Sequence, residues 1–313
     1  MIENVQLERS FFNAHADTLH ELFVMLGREQ EWCDTPEELL PYTQQTWVGY
    51  EHGNSAEKDQ FSPDQEAAAL AVMPRLGLRE ETRPPTGSYE QVVILAGMMR
   101  VNRERAGFTR QLLDVHDIEA ERIICLTGKR ARDPRDEAQL QVMDLEALAT
   151  DEWVRDELTK PSGPVWNSGF AAETDLARLA YLESFPRAGL IKSDATAYTF
   201  AALGYPDFTL MDCPAVERPT GSTRPTVDSS ATEWLNTEAP SENASVLVVA
   251  GNPHIPRNDR DIRRVAARQE REDIVFTVCG PAANPEATIQ LYLGEIGRLF
   301  YMDVQEAAIA DAS

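Results

Sequence analysis

Two hydrophobic rhythms divide this chain. Up to about residue 82 the apolar positions return at helical spacing, as in Leu7, Phe11, Phe12, Leu19, Leu22, Phe23 and Leu26. "DTPEELLPY" offers Asp34 or Thr35 as an N-cap, Pro36 in the first turn and acids behind it. "SPDQEAAALAVMPRLGL" repeats the start signal at Ser62 and Pro63. "TRPPTGS", Thr82 to Ser88, reads as loop and as a boundary.

Beyond the boundary, short continuous apolar runs alternate with amphipathic stretches. "QVVILAG" predicts a buried strand, "RVNRERAGFTRQLLDV" a helix and "RIICLTG" a second strand. A polar stretch leads to the loop "PSGPVWNSG", then to a helix in "AETDLARLAYLESF". "VLVVAGN" and "IVFTVCG" are two further strands, each followed by a helix, in "RDIRRVAARQ" and "EATIQLYLGEIGRLFYMDVQEA". Between Gly189 and Ala244 the pattern is weaker, with one candidate strand in "FTLMD" and loop in "ERPTGSTRPTVDSS". Apolar strands alternating with amphipathic helices predict an α/β fold, a mostly parallel sheet covered on both faces in three layers. The predicted organisation is a helical subdomain over 1–85 and an α/β domain over 86–313.

Composition changes the picture in one respect. Among 313 residues the formal net charge is −23, about half of it in the first 82 residues. Such a surface repels polyanions and anionic membranes, so nucleic acid and membrane are not expected as partners. The four cysteines, Cys33, Cys125, Cys213 and Cys279, form no CxxC pair, and with five histidines in the chain no metal site is expected. No basic start with an apolar run opens the chain, and no stretch of ~18 apolar residues follows. Reduced thiols in a cytoplasmic protein are the expectation.

Candidate chemistry follows from a rule of open parallel sheets: ligands lie beyond the carboxyl ends of the strands. After the first strand come Gly97, Arg100, Arg103 and Arg105. After the second come Thr127, Gly128 and Lys129. After the third come Gly251, Asn252, His254 and Arg257. Glycine lets a ligand approach the backbone, and arginine binds phosphate or carboxylate through a bidentate fork. Residues 98 to 136 hold nine basic and seven acidic side chains, a local surplus in an acidic protein. The convergence predicts an anionic small-molecule site. The competing reading makes Arg103, Arg105, Arg263 and Arg264 solvated helix residues paired with nearby acids. His254, between "NP" and "IPR", is a candidate proton-transfer residue or ligand contact, or a turn histidine satisfied by a carbonyl. Glu173 starts a helix, where it either meets a ligand or complements the helix dipole. Neither a GxGxxG fingerprint nor a Walker A sequence is present.

The pieces "VVILAGMMR", "ICLTGKR", "AETDLARLAYLES", "VERPTGSTRPTVDSSATEWL" and "VLVVAGNPHIPRN", in that order, resemble the SanA/YdcF-type domain over roughly residues 90 to 303. Here Ala-Gly, Gly-Lys and Gly-Asn stand where that pattern has Gly-Gly, Gly-Gly and Thr-Ser. The resemblance implies a Rossmann-like fold and a pocket for a nucleotide-like or phosphorylated ligand. It carries site roles onto Gly97, Gly128, Glu173, Glu217, Ser229, His254 and Arg257, and leaves S-adenosylmethionine as a candidate cofactor beside a magnesium-bound nucleotide.

The expectation is therefore an enzyme acting on such a metabolite by hydrolysis or group transfer. His254 would move the proton, with Glu173 or Glu217 as its acidic counterpart. Arg100, Arg103, Lys129 and Arg257 would hold the anion, with Gly97, Thr127, Gly128, Ser229, Gly251 and Asn252 around it. The alternative is a binding or sensing module that holds the same ligand without catalysis. The helical part would then be a lid or a contact in a homo-oligomer.

Overall fold

The computed structural model describes residues 10–48, 61–128, 173–185, 187–193, 197–217 and 223–312. They fall into two compact units. One spans Thr82–Gly251 and Asn258–Pro281; the other joins Met1–Glu81 to Asn252–Arg257 and Ala282–Ser313. The helical unit is thus discontinuous in sequence. It takes up the last helix and the six residues around His254, which the sequence boundary had left with the α/β domain.

The α/β unit is built on a Rossmann-like, mostly parallel sheet. Its strands are β1 (Gly87–Leu95), β2 (Ile118–Gly128), β3 (Arg187–Ser193), β4 (Ala197–Ala202), β5 (Asp207–Cys213), β8 (Ser245–Val249) and β9 (Val275–Cys279), in the order β3-β4-β5-β2-β1-β8-β9. A separate two-stranded ribbon pairs β6 (Val216–Glu217) with β7 (Thr223–Arg224). The five strands from β5 to β9 run parallel; β3 and β4 extend them as an antiparallel edge. Val93 at the centre pairs with Ile124 on one side and Val248 on the other. All three are fully buried, which is why these strands are continuous apolar runs rather than alternating ones.

Alternate residues of the strands serve opposite layers. Val92, Ile94, Ile123, Cys125, Leu247 and Val249 share one core with residues of α4 (Met99–Val115) and α5 (Glu173–Ser184). On the opposite face, the Gln91 carboxamide accepts from the Trp234 indole at 2.9 Å, which ties β1 to α6 (Val227–Thr237). Helix α7 (Ile255–Arg268) lies on that same side: Arg268 pairs with Asp228 of α6. The three layers expected from the pattern are present. The weakly patterned region holds more structure than its sequence suggested, namely the β3–β4 hairpin and α6. The segment read as loop runs into a capping box, in which Thr226 and Ser229 satisfy each other's main-chain N–H groups and start α6.

The helical unit contains α1 (Phe11–Met25), α2 (Pro36–Thr43), α3 (Pro63–Val72) and α8 (Ile289–Ala312). The predicted start signals act as caps: Thr35 Oγ1 accepts from Glu38 N at 3.4 Å, and Ser62 with Gln65 forms a capping box. Phe12, Leu19, Leu22 and Phe23 of α1 pack with Tyr292, Ile296 and Phe300 of α8 in one core. The buried Asp303 carboxylate accepts from Phe11 N at 3.0 Å and Phe12 N at 2.8 Å, so α8 caps the start of α1. Among the described residues no helix is long and apolar enough to cross a membrane.

Candidate functional site

Helix α8 is apolar along "LYLGEIGRLF" except for two charged residues three apart, Glu295 and Arg298. Residues at that spacing share a helix face. Glu295 is completely buried, and a bare carboxylate there would be costly. One imidazole and two guanidinium groups meet it. His254 Nδ1 lies 2.9 Å from Oε1, Arg257 Nε lies 2.8 Å from Oε2, and Arg298 Nη1 also reaches Oε1. Burial pushes this carboxyl up. His254, Arg257 and Arg298 outweigh that and hold it well below the usual carboxylate range.

His254 precedes the first residue of α7, and Arg257 lies in that helix's first turn, with Pro256 between them. Because Nδ1 faces a carboxylate, it carries a proton. Nε2 is left to accept a proton in the neutral imidazole, or to donate one in the charged form. The His254 side chain is 31% exposed. One carboxylate against two guanidinium groups leaves the cluster positively charged whichever form the imidazole takes. Chemically, this is an oriented proton acceptor in a cationic setting. It lies entirely within the helical unit.

Asn252, two residues earlier, donates from Nδ2 to the Glu80 carbonyl, and its buried Oδ1 has no hydrogen-bond partner among the described residues. The other predicted residues belong to the α/β unit, and most have structural partners there. Arg100 pairs along its own helix with Glu104 at 3.1 Å. Arg103 grips Glu183 of α5 with two bonds, of 2.8 and 3.0 Å. The reading of helix arginines paired with nearby acids therefore describes both.

Thr127 is buried and donates to the Met211 carbonyl at 2.7 Å, within the sheet. At Gly128 a Cβ would come within 2.3 Å of Pro225 Cγ, so the missing side chain makes room for proline. The main-chain N–H and C=O of Gly97 are bracketed by the buried Asn102 side chain at 2.9 and 2.8 Å. Ser229 is committed to the α6 capping box and to the Pro214 carbonyl at 3.1 Å. Glu217 is exposed on the short β6–β7 ribbon. Glu173 opens α5, but its side chain lies outside the described residues, as does all of Lys129.

One functional candidate, Glu295, escapes a sequence reading. Glu295 is a single acid within an apolar helix, and nothing local says that residues some forty positions upstream converge on it. Arg105 lies at the carboxyl ends of β1 and β8 and is only 6% exposed. Its signal was present: Asn102, Arg105, Ala106, Thr109 and Leu112 form one buried stripe of α4. No disulfide joins the four cysteines, and burial pushes the Cys213 thiol up to about 12, so it is not a reactive thiolate at neutral pH.

No family model, curated protein or solved structure matches this chain. The resemblance to the SanA/YdcF-type domain therefore stands on the order of sequence motifs alone.

Proposed function

We propose that this protein is an enzyme acting on a phosphorylated or nucleotide-like small metabolite by hydrolysis or group transfer, with His254 as the proton-transfer residue. The observation that carries the reading is the buried Glu295 carboxylate 2.9 Å from His254 Nδ1. A carboxylate in that place fixes the imidazole's tautomer and orientation, as in acid–base sites generally. Glu295 is then a positioning residue, and it takes the part the sequence had offered to Glu173 or Glu217. Arg257 and Arg298 supply the positive field that favours an anionic substrate, in a chain whose net charge of −23 would otherwise repel one.

Thermal-shift measurements against nucleotides with and without Mg²⁺, sugar phosphates and S-adenosylmethionine identify the ligand, since any binder of the folded state raises Tm. His254→Ala is expected to retain that ligand-dependent rise and to lose turnover. Equal loss of both would make His254 a contact only, and silence across the panel would remove the reading. A second reading, binding or sensing without catalysis, is favoured by one feature. Glu295 accepts from Arg257 and Arg298 and lies against His254 Nδ1, which also describes a clamp holding residues 252–257 against α8. Ligand binding without turnover in the wild-type protein would select it.

A further inference from the structure

In a chain this acidic, most arginines find a carboxylate. Arg103, Arg122 and Arg271 each grip one. Arg79, partly buried in the helical unit, meets no carboxylate among the described residues. Its Nη1 donates to the Leu70 carbonyl at 2.9 Å. The sequence explains that bond. A helical carbonyl pairs with the N–H four residues on, and residue 74 is proline, which has none. Arg79 satisfies the carbonyl that Pro74 leaves open at the end of α3, and is thereby held in place. One carbonyl engages one of the five N–H donors of a guanidinium and leaves its charge uncompensated.

Three contacts bring Arg79 to the His254 cluster, all within the helical unit. Asn252, two residues before His254, donates from Nδ2 to the carbonyl of Glu80, the residue after Arg79. The Arg79 carbonyl itself accepts from Ala283 N at 2.8 Å, on the approach to α8. Within α8, Tyr292 is buried; burial pushes its phenol up and the nearby Arg79 charge draws it down. Tyr292 precedes Glu295 by three residues, about 4.5 Å along the axis and on the same face. Glu295 in turn lies 2.9 Å from His254 Nδ1. Arg79 and His254 thus border the same stretch of α8.

We propose that Arg79 holds the phosphate group of the substrate at the His254 site, as a handle set apart from the atom that reacts. This rests on the reading of that site as one for a phosphorylated metabolite. Arg257 and Arg298 do not suit the part, because both are engaged with Glu295. Arg79 has no such commitment, and a guanidinium grips two phosphate oxygens side by side.

The test is thermal unfolding of the full chain at constant ionic strength, in inorganic phosphate and in chloride. At ~50 mM phosphate, wild type is expected to gain about 2 °C or more over its Tm in chloride. Arg79→Gln should lose that gain. Arg79→Lys keeps the charge and a donor for Leu70 but not the fork, and should lose most of it. Each variant is read against its own Tm in chloride, so lost stability at the Leu70 bond cancels. His254→Ala should keep the gain, because His254 moves the proton and does not hold the phosphate. With a turned-over substrate in hand, Arg79→Lys should raise KM about tenfold and leave kcat within a few-fold, whereas His254→Ala loses kcat. No gain in wild type, or an equal gain in both Arg79 variants, overturns the proposal and leaves Arg79 as the cap of α3. Turnover that depends on His254 would in that case still support the proton-transfer reading. A gain that requires Arg79, in a protein that turns nothing over, would keep the phosphate site and remove the catalytic reading.

Discussion

Two buried charges, one in each unit, are solvated by different means. Glu295 in the helical unit is met by opposite charge, a histidine and two arginines. Arg105 in the α/β unit is held by main-chain carbonyls at the end of β1. The first arrangement compensates a carboxylate and leaves one imidazole nitrogen available for chemistry. The second fixes a cation by dipoles and leaves one edge of its fork directed at a glycine. Ion pairing ties the element that bears the charge to its neighbours. Carbonyl anchoring holds a charge by main-chain dipoles instead of by opposite charge.

Removing the carboxylate should have the largest effect. Glu295→Gln leaves two partly buried guanidinium groups and an imidazole against a neutral amide and is expected to destabilise the protein by ~3–5 kcal/mol, measured by urea or thermal unfolding. The pH dependence of stability sharpens this. Glu295 is held below its unfolded value, so its contribution is complete above the ordinary carboxylate range near ~4.3 and is lost as pH falls from there toward the folded value. Wild-type Tm should therefore fall more steeply below that pH than the Tm of Glu295→Gln. Parallel curves would mean that the cluster does not hold the carboxylate ionised.

An intermediate effect is expected where the strand-end glycine serves packing. Gly128→Ala drives a methyl group into Pro225 and should cost about 1–3 kcal/mol in chemical denaturation, with no anion dependence. A Gly128→Ala protein of wild-type stability would show that Pro225 moves aside.

The smallest effects belong to the surface arginines of α4. Arg103→Ala gives up a two-bond pair and should cost ~0.2–1 kcal/mol, and Arg100→Ala, an exposed i,i+4 pair, about 0.3–0.5 kcal/mol. Both losses should shrink in high salt. Loss of ligand binding in either variant would return these side chains to the anion site.

Periodicity was legible where one element's own residues decide its state. The apolar runs of β1, β2, β8 and β9, the caps at Thr35 and Ser62, and the helical spacing of α1 all depend on neighbours within a few residues. The β3–β4 hairpin was not legible, because "RAGLIKS" and "AYTFAA" carry small and polar residues in place of a long β-branched run, and β4 is only partly buried. The unit boundary was missed for a similar reason. Glu295 and His254 lie forty-one positions apart, and only the packing of α8 joins them.

Local pattern by itself therefore determined the α/β class, the alternation of strand and helix, and which strand ends carry glycine and cations. It could not say which of those groups find structural partners, since Arg103 meets Glu183 and Gly128 meets Pro225 only after distant elements dock. Tertiary structure alone set Glu295 behind His254 and brought Arg105 to the carbonyls at the end of β1. Secondary structure is governed by contacts a few residues apart, whereas a site is assembled from contacts between distant segments, and those follow from how whole faces pack.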